Sequence, residues 1–339
     1  KLHDSKLPRL SLLFILFFNF LLGAQNFERV ETIIGLGSLA NNNGVAVADF
    51  DGDNDLDIFV VANAIESSED ITTHSRLYRN NDDGSFTDVT ETSGLIELLT
   101  TEEDVQSSLV QNGFKYGASW GDYNNDGFPD LFLTYSLKVQ LWRNLGNGTF
   151  VNVTEISGLT ENNSCINAGA TWFDYNNDGF LDIYLADWGY CGSNSMYRNN
   201  GNNTFTEVTA ELGLTETTSR NSYTSFPFDI NSDGWMDIIV TNDLGGANYM
   251  YVNQNGTSFI EDTLTYGLNN TIDGKGIASS DFDNDGDFDI FNAGVDQNIL
   301  FQNNGSNSYT DVSTAYGISG TCWAWGANFS DFDLDGDED

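Results

Sequence analysis

Residues 122–144 read DYNNDGFPDLFLTYSLKVQLWRN, and the order of residue types in that stretch decides the fold. Its first nine residues carry side-chain oxygens at positions 1, 3, 5 and 9 and a glycine at position 6. An apolar, β-favouring run, LFLTY, follows at once, as expected of a strand leaving a tight turn. The nonapeptide recurs as DFDGDNDLD from Asp49, DYNNDGFLD from Asp174, DINSDGWMD from Asp229, DFDNDGDFD from Asp281 and DFDLDGDED from Asp331. Five of the six copies have a glycine five positions ahead of the first Asp: Gly44, Gly117, Gly169, Gly276 and Gly326. The fourth copy has Thr224 there.

A second element of 19 residues alternates with the first. It reads LYRNNDDGSFTDVTETSGL at 77–95, LWRNLGNGTFVNVTEISGL at 141–159 and MYRNNGNNTFTEVTAELGL at 196–214, with weaker copies at 250–268 and 300–318. Two motifs alternating in register define a repeat of roughly 50 residues. Each unit parses as four short strands. A small-residue strand such as GVAVA enters the acidic loop, and LDIFVV leaves it. LYRNN and SFTDVT then flank an Asn/Asp/Gly turn, a strong hairpin signal. Helical periodicity is absent. Four strands per unit predict an all-β fold, a β-propeller of four-stranded blades over residues 27–339. A parallel β-helix would have shorter repeats without paired hairpins.

The acidic loops are the candidate metal sites. Carboxylates at alternate positions of a wrapped chain face inward, position 7 offers its backbone carbonyl and position 9 closes the shell. The sharp turn at position 6 needs φ > 0, which Gly adopts freely and Asn tolerates. The candidate ligands are Asp49, Asp51, Asp53, Asp55 and Asp57 in the first loop, then Asp122, Asn124, Asp126, Phe128 and Asp130 in the second. The third offers Asp174, Asn176, Asp178, Phe180 and Asp182, and the fourth Asp229, Asn231, Asp233, Trp235 and Asp237. The fifth offers Asp281, Asp283, Asp285, Asp287 and Asp289, and the sixth Asp331, Asp333, Asp335, Asp337 and Asp339. A set of hard oxygens suits Ca²⁺, up to six ions in this chain. Zinc or copper would want His or Cys, and the only histidines are His3 and His74. Loops with Asn at position 3 carry less ligand charge and are expected to bind more weakly than the first, fifth and sixth.

These residues resemble the FG-GAP/VCBS repeats of integrin α-subunit propellers, and more closely the secreted cartilage acidic protein type with its paired acidic loop and YRNN…F-T-VT…GL element. The resemblance spans about residues 43–339, with Asn54 departing from the usual Gly. It implies a seven-bladed propeller with calcium in the hairpin loops between the first two strands of its blades. The sixth nonapeptide reaches Asp339, so further chain is expected to complete the ring.

Composition bounds the partners. Acidic residues number 51 against 12 basic ones, a formal charge of −39. Such a surface repels nucleic acid and anionic lipid headgroups. Residues 1–25 read as a secretory signal peptide: Lys1, Lys6 and Arg9 precede an apolar run from Leu10 to Leu22, too short for a comfortable span. The mature domain is expected to be extracellular, without direct membrane insertion. Cys165 and Cys191 either bridge within one repeat or stay as buried thiols, and Cys322 has no visible partner. Asn-x-Ser/Thr triplets at Asn147, Asn152, Asn162, Asn202, Asn255, Asn269 and Asn304 read as turn chemistry rather than glycosylation sites. Trp120, Trp172, Trp323 and Trp325 read as core residues.

Acidic loops and strand 3–4 turns emerge on one face of a propeller, and the remaining connections on the other. The long segments 62–76 and 96–116 belong to the second class, as does the Trp188–Tyr190 connection. Length variation on a fixed scaffold places a partner site there. The expected function is an adhesion or ligand-binding module with structural calcium, taking a protein or carbohydrate ligand, and no enzyme. The alternative is a carbohydrate-active propeller, either polysaccharide lyase-like or a non-catalytic carbohydrate-binding module. Catalysis needs a positioned acid or base, and Lys115, Lys138, Lys275 and His74 belong to no visible constellation.

Overall fold

Alternation of apolar strands and Gly/Asn/Asp turns produces five four-stranded antiparallel sheets, each a simple meander in chain order. The computed structural model describes residues 34–36, 42–62, 75–95, 115–136, 138–159, 166–189, 194–216, 221–305, 308–318, 320, 323–331, 336 and 338. The first blade comprises β1 (Asn42–Ala48), β2 (Asp57–Ala62), β3 (Arg76–Asn80) and β4 (Phe86–Asp88). The second comprises β5 (Lys115–Gly121), β6 (Asp130–Tyr135), β7 (Val139–Asn144) and β8 (Phe150–Asn152). The third comprises β9 (Ile166–Phe173), β10 (Asp182–Trp188), β11 (Ser195–Asn199) and β12 (Phe205–Glu207). The fourth comprises β13 (Ser222–Phe228), β14 (Asp237–Asn242), β15 (Tyr249–Asn253) and β16 (Phe259–Glu261), followed by the single helical turn α1 (Thr263–Tyr266). The fifth comprises β17 (Gly274–Ser280), β18 (Asp289–Gly294), β19 (Ile299–Asn303) and β20 (Tyr309–Asp311). The fold is the expected β-propeller of four-stranded blades.

First strands pack on first strands: β1 lies beside β5, β5 beside β9, β9 beside β13 and β13 beside β17. The blades therefore radiate from a common axis, with their first strands innermost. The repeated glycine makes this approach possible. A Cβ on Gly169 would stand 3.0 Å from the Tyr223 carbonyl oxygen, and one on Gly276 only 2.8 Å from Gly326 Cα. Immediately before this position every inner strand carries a β-bulge. Lys115 pairs Tyr135 and Gly117 pairs Thr134, so Tyr116 has no cross-strand partner. The same shift occurs ahead of Gly44, Gly169, Thr224 and Gly276.

The hydrophobic core lies between blades. Phe59, Val61 and Leu77 of the first meet Leu131, Leu133 and Trp142 of the second, and the pattern repeats around the axis. Each fully buried side chain of this size contributes about 1.5–3 kcal/mol of hydrophobic stabilisation. The turn after the fourth strand of the first three blades adds a hydrogen bond to the next blade: Phe150 N donates to Ser93 O (2.8 Å), Phe205 N to Ser157 O (2.7 Å) and Phe259 N to Leu212 O (2.8 Å). Phe86 of the first blade makes the equivalent bond to Ile34 O at 2.6 Å. In sequence, FERVETIIGL at 27–36 matches FTDVTETSGL at 86–95.

Trp120 and Trp172 pack between blades as expected. Trp323 and Trp325 do not, being 69% and 53% exposed. Repeat register gives the reason. Trp120 and Trp172 lie three residues after their glycines, a place taken by Phe329 after Gly326. Phe329 meets Phe291 edge-on at 6.3 Å, as Trp120 meets Phe59 and Trp172 meets Phe132. Trp325 precedes its glycine and stands at the bulge position instead.

The 1–25 leader, Cys165, Cys191, Cys322, His74, Tyr190 and most of the two long segments (63–74 and 96–114) lie outside the described residues, as do Asp333, Asp335, Asp337 and Asp339. Among the described residues no helix is long and apolar enough to cross a membrane.

Candidate functional site

Each acidic loop is organised by its first residue. Asp122 accepts the amides of Asp126 (3.0 Å) and Gly127 (2.8 Å), one on each carboxylate oxygen. Asp49, Asp174, Asp229 and Asp281 do the same, and Asp331 accepts from Gly336 at 2.9 Å. The fifth carboxylate accepts the amide of residue 7: Asp53 from Asp55, Asp126 from Phe128, Asp178 from Phe180, Asp233 from Trp235 and Asp285 from Asp287. Position 6 is left-handed as expected, from φ 71° at Asn54 to 98° at Gly336. Position 4 is left-handed too, at Gly52, Asn125, Asn177, Ser232 and Asn284, which the sequence reading missed. The signal was present in the Gly and Asn recurring there.

The ninth carboxylate has a double role. Asp130 opens β6, is fully buried, and accepts Tyr123 N (3.3 Å) on one oxygen and Asn144 N (2.7 Å) on the other. Asp57, Asp182, Asp237 and Asp289 repeat both bonds. It therefore braces the loop to the third strand, beyond the shell-closing role expected of it. Burial pushes these carboxyls up, Asp130 to about 8, Asp182 and Asp237 to about 7, and Asp57 and Asp289 to about 6.

Position 3 separates two kinds of loop. Asn124, Asn176 and Asn231 turn their carbonyl oxygens to the amides of Asp126, Asp178 and Asp233 (2.9–3.2 Å). In the first and fifth loops Asp51 Oδ1 and Asp283 Oδ1 are buried and accept no hydrogen bond. Carboxylate oxygens of Asp49, Asp51 and Asp57 lie within 4.8 Å of one another, as do those of Asp281, Asp283 and Asp285. Burial, then the neighbouring Asp53, raises the Asp51 carboxyl. A buried anionic oxygen without a donor, in a group of three carboxylates, fits a hard divalent cation.

The aromatic residues at position 7 lie on the strand 3–4 turns, Phe128 against Gly146, Phe180 against Gly201 and Trp235 against Gly256. Successive loops are joined by Asn125 Nδ2 to Gly179 O (2.8 Å) and Asn177 Nδ2 to Gly234 O (3.1 Å). Three of the Asn-x-Thr triplets make local turn hydrogen bonds: Asn152 Oδ1 accepts Thr154 N and Oγ1, as Asp88 does from Thr90 in the first blade. Asn147 and Asn202 bond Thr149 and Thr204 likewise. On the opposite face, Trp188 Nε1 donates to Asp243 Oδ2 at 2.9 Å, joining the third blade to the fourth.

Solved structures similar to the chain include an Agrocybe aegerita lectin described as recognising non-reducing terminal N-acetylglucosamine, at 18% identity and a TM-score of 0.44, covering 80% of this chain and 66% of that one. A V. cholerae biofilm matrix protein matches at 13% identity and a TM-score of 0.43, covering 80% of this chain and 38% of that one. An endo-arabinase from Bacteroides thetaiotaomicron matches at 13% identity and a TM-score of 0.38, covering 81% and 93%. The chain thus spans about two thirds of the lectin and well under half of the matrix protein. No curated protein matches the sequence. FG-GAP-like repeats match at residues 122–185, 174–240, 229–292 and 281–339, more than half of the chain. With its acidic loop and four-stranded blade repeated in register, the chain belongs to the FG-GAP-like repeat family.

Proposed function

We propose that the chain is a secreted or cell-surface ligand-binding propeller in which calcium is structural, acting in adhesion rather than catalysis. One observation carries the metal assignment: Asp51 Oδ1 and Asp283 Oδ1 are buried among carboxylates without a donor. Residues 1, 3 and 5 of each loop would hold the ion, with the residue 7 carbonyl and the buried residue 9 carboxylate completing its oxygen shell. When bound, calcium supplies the charge that lets three or more carboxylates converge. The chain's own contribution is the brace from residue 9 to the third strand, which passes the loop's order to the sheet.

The adhesion reading is supported by a scaffold of repeated blades whose connecting segments 62–76 and 96–116 are long in sequence, and by the contact of Trp188 with Asp243 between blades. A protein or carbohydrate at a cell surface or in a matrix is the expected ligand. Thermal melting of the purified chain in calcium and in chelator tests the reading. Calcium is expected to raise the midpoint by mass action, and equal midpoints with no bound metal refute it.

A further inference from the structure

Within this one chain, the repeats can be compared position by position. The inner-strand glycine recurs in five of six copies, yet the residue before it is Asn43, Tyr116, Ala168, Tyr223, Lys275 or Trp325. It is the extra residue of the bulge in each of the five blades. A bulge re-aims its side chain. Tyr116, Ala168, Tyr223, Lys275 and Trp325 all line a single cavity of about 640 Å³ beside the inner strands. From the second repeat to the sixth, this one variable position converges on one space, while the scaffold around it stays fixed. Core packing would favour recurrence of a residue type at that place, and recognition would favour variety.

The chemistry of the lining is specific. Lys275 Nζ stands 4.3 Å from the Tyr223 ring centre and 5.3 Å from that of Trp325, and its charge is taken up by an ion pair with buried Asp243. The Tyr223 and Trp325 rings meet at 5.5 Å. The Trp323 ring lies 5.9 Å from that of Trp325, so the aromatic surface at this side of the cavity extends over two indoles. Ala168 leaves room in the third blade, and Thr134 and Thr224 add polar residues to the lining. Aromatic faces with hydroxyl and backbone polar groups suit a sugar ring, whose C–H face is apolar and whose edge is hydroxylated. A neutralised lysine and a formal charge of −39 disfavour an anionic ligand.

From this convergence we infer that the axial cavity is a binding site for an uncharged saccharide, stacked on Trp325 and Tyr223 and hydrogen-bonded by polar groups of the cavity lining. The site deepens the ligand-binding reading above and rests on it. The test titrates neutral chito-, cello- and manno-oligosaccharides into the calcium-loaded full chain, following calorimetric heat and tryptophan fluorescence. At least one series is expected to bind. Trp325→Ala and Tyr223→Ala are each expected to weaken it at least about tenfold, with the melting temperature of the Trp325 variant within about 2 °C of the parent. Binding that neither substitution alters overturns the cavity assignment. Binding only of sulfated or uronic oligosaccharides, or of no saccharide at all, overturns the ligand class. In both cases a retained calcium response leaves the structural-calcium propeller standing, whereas loss of that response removes the broader reading.

Discussion

Asn144 Nδ2 donates to the carbonyl oxygen of Phe50 at 2.7 Å, a bond that leaves the second blade and ends in the acidic loop of the first. Asn199 reaches Tyr123 and Asn253 reaches Tyr175 in the same way, both at 2.8 Å. The same Asn144 amide also meets Pro129 O, and its Oδ1 accepts Gly146 N from the hairpin turn. The asparagine of the second motif therefore ties together two acidic loops and one hairpin. Its recurrence at Asn80, Asn144, Asn199, Asn253 and Asn303 has a physical cause.

Asn144→Ala is expected to destabilise the protein by about 2–4 kcal/mol, because it strands buried carbonyl groups in two blades. Asn80→Ala should cost less, since among the described residues Asn80 Nδ2 bonds only Leu56 O, and at the exposed rim. Chemical denaturation of both variants in calcium checks the order.

Asp51→Asn and Asp283→Asn should act in opposite directions on two measurements. Each removes an anionic ligand and is expected to weaken calcium binding by about tenfold or more at its loop. In chelator, each should leave the melting temperature unchanged or higher, since it relieves like-charge repulsion such as that from Asp53 on Asp51. Calorimetric titration and melting with and without chelator separate the effects. A lowered melting point in chelator would contradict the charge argument.

Gly276→Ala places a methyl group 2.8 Å from Gly326 Cα and should cost about 1–3 kcal/mol through displaced inner strands. Gly317→Ala meets no atom within 4 Å, though φ is 73°, so only left-handed strain of about 1–2 kcal/mol applies. Denaturation midpoints should rank the first variant at or below the second, with loss of the cavity's ligand response confined to the first.

Lys115 is 1% exposed and donates to Ser75 Oγ at 3.0 Å. Burial, then the charge of Lys138, pulls its ammonium well below 10.5. Between that lowered value and 10.5 the unfolded chain holds more protons than the folded one, so stability contributed by this site rises with pH over that interval. Lys115→Met should flatten the rise, and stability measured from pH 6 to 9 in parent and variant compares the slopes.

Much of the fold was legible because loop, hairpin and glycine recur in register, and five blades follow from their spacing. Less was legible where one residue type serves two physical ends. Spacing marks Asp130 as an oxygen ligand but cannot reveal that its oxygens already accept Tyr123 N and Asn144 N. Tryptophan before a glycine looks like core until register shows that Trp325 stands at a bulge and Phe329 does the packing. The segment 27–36 escaped notice because it repeats only half of the second motif, although Ile34 takes the bond from Phe86 that Ser93 takes from Phe150. The second left-handed residue of each loop was legible in the Gly and Asn that recur at position 4, except at Ser232, where the residue type carries no such signal.

The links from Asn125 to Gly179 and from Asn177 to Gly234 point the same way, each donor one blade earlier in the chain than its acceptor. Such a row of joints has a direction, like tiles overlapped on a roof. Slackening one loop withdraws a donor from the loop downstream and an acceptor from the loop upstream. Disorder at the rim should therefore spread to neighbours in series, and a mechanical load along the ring would travel through polar joints before it reached the greasy seams between blades.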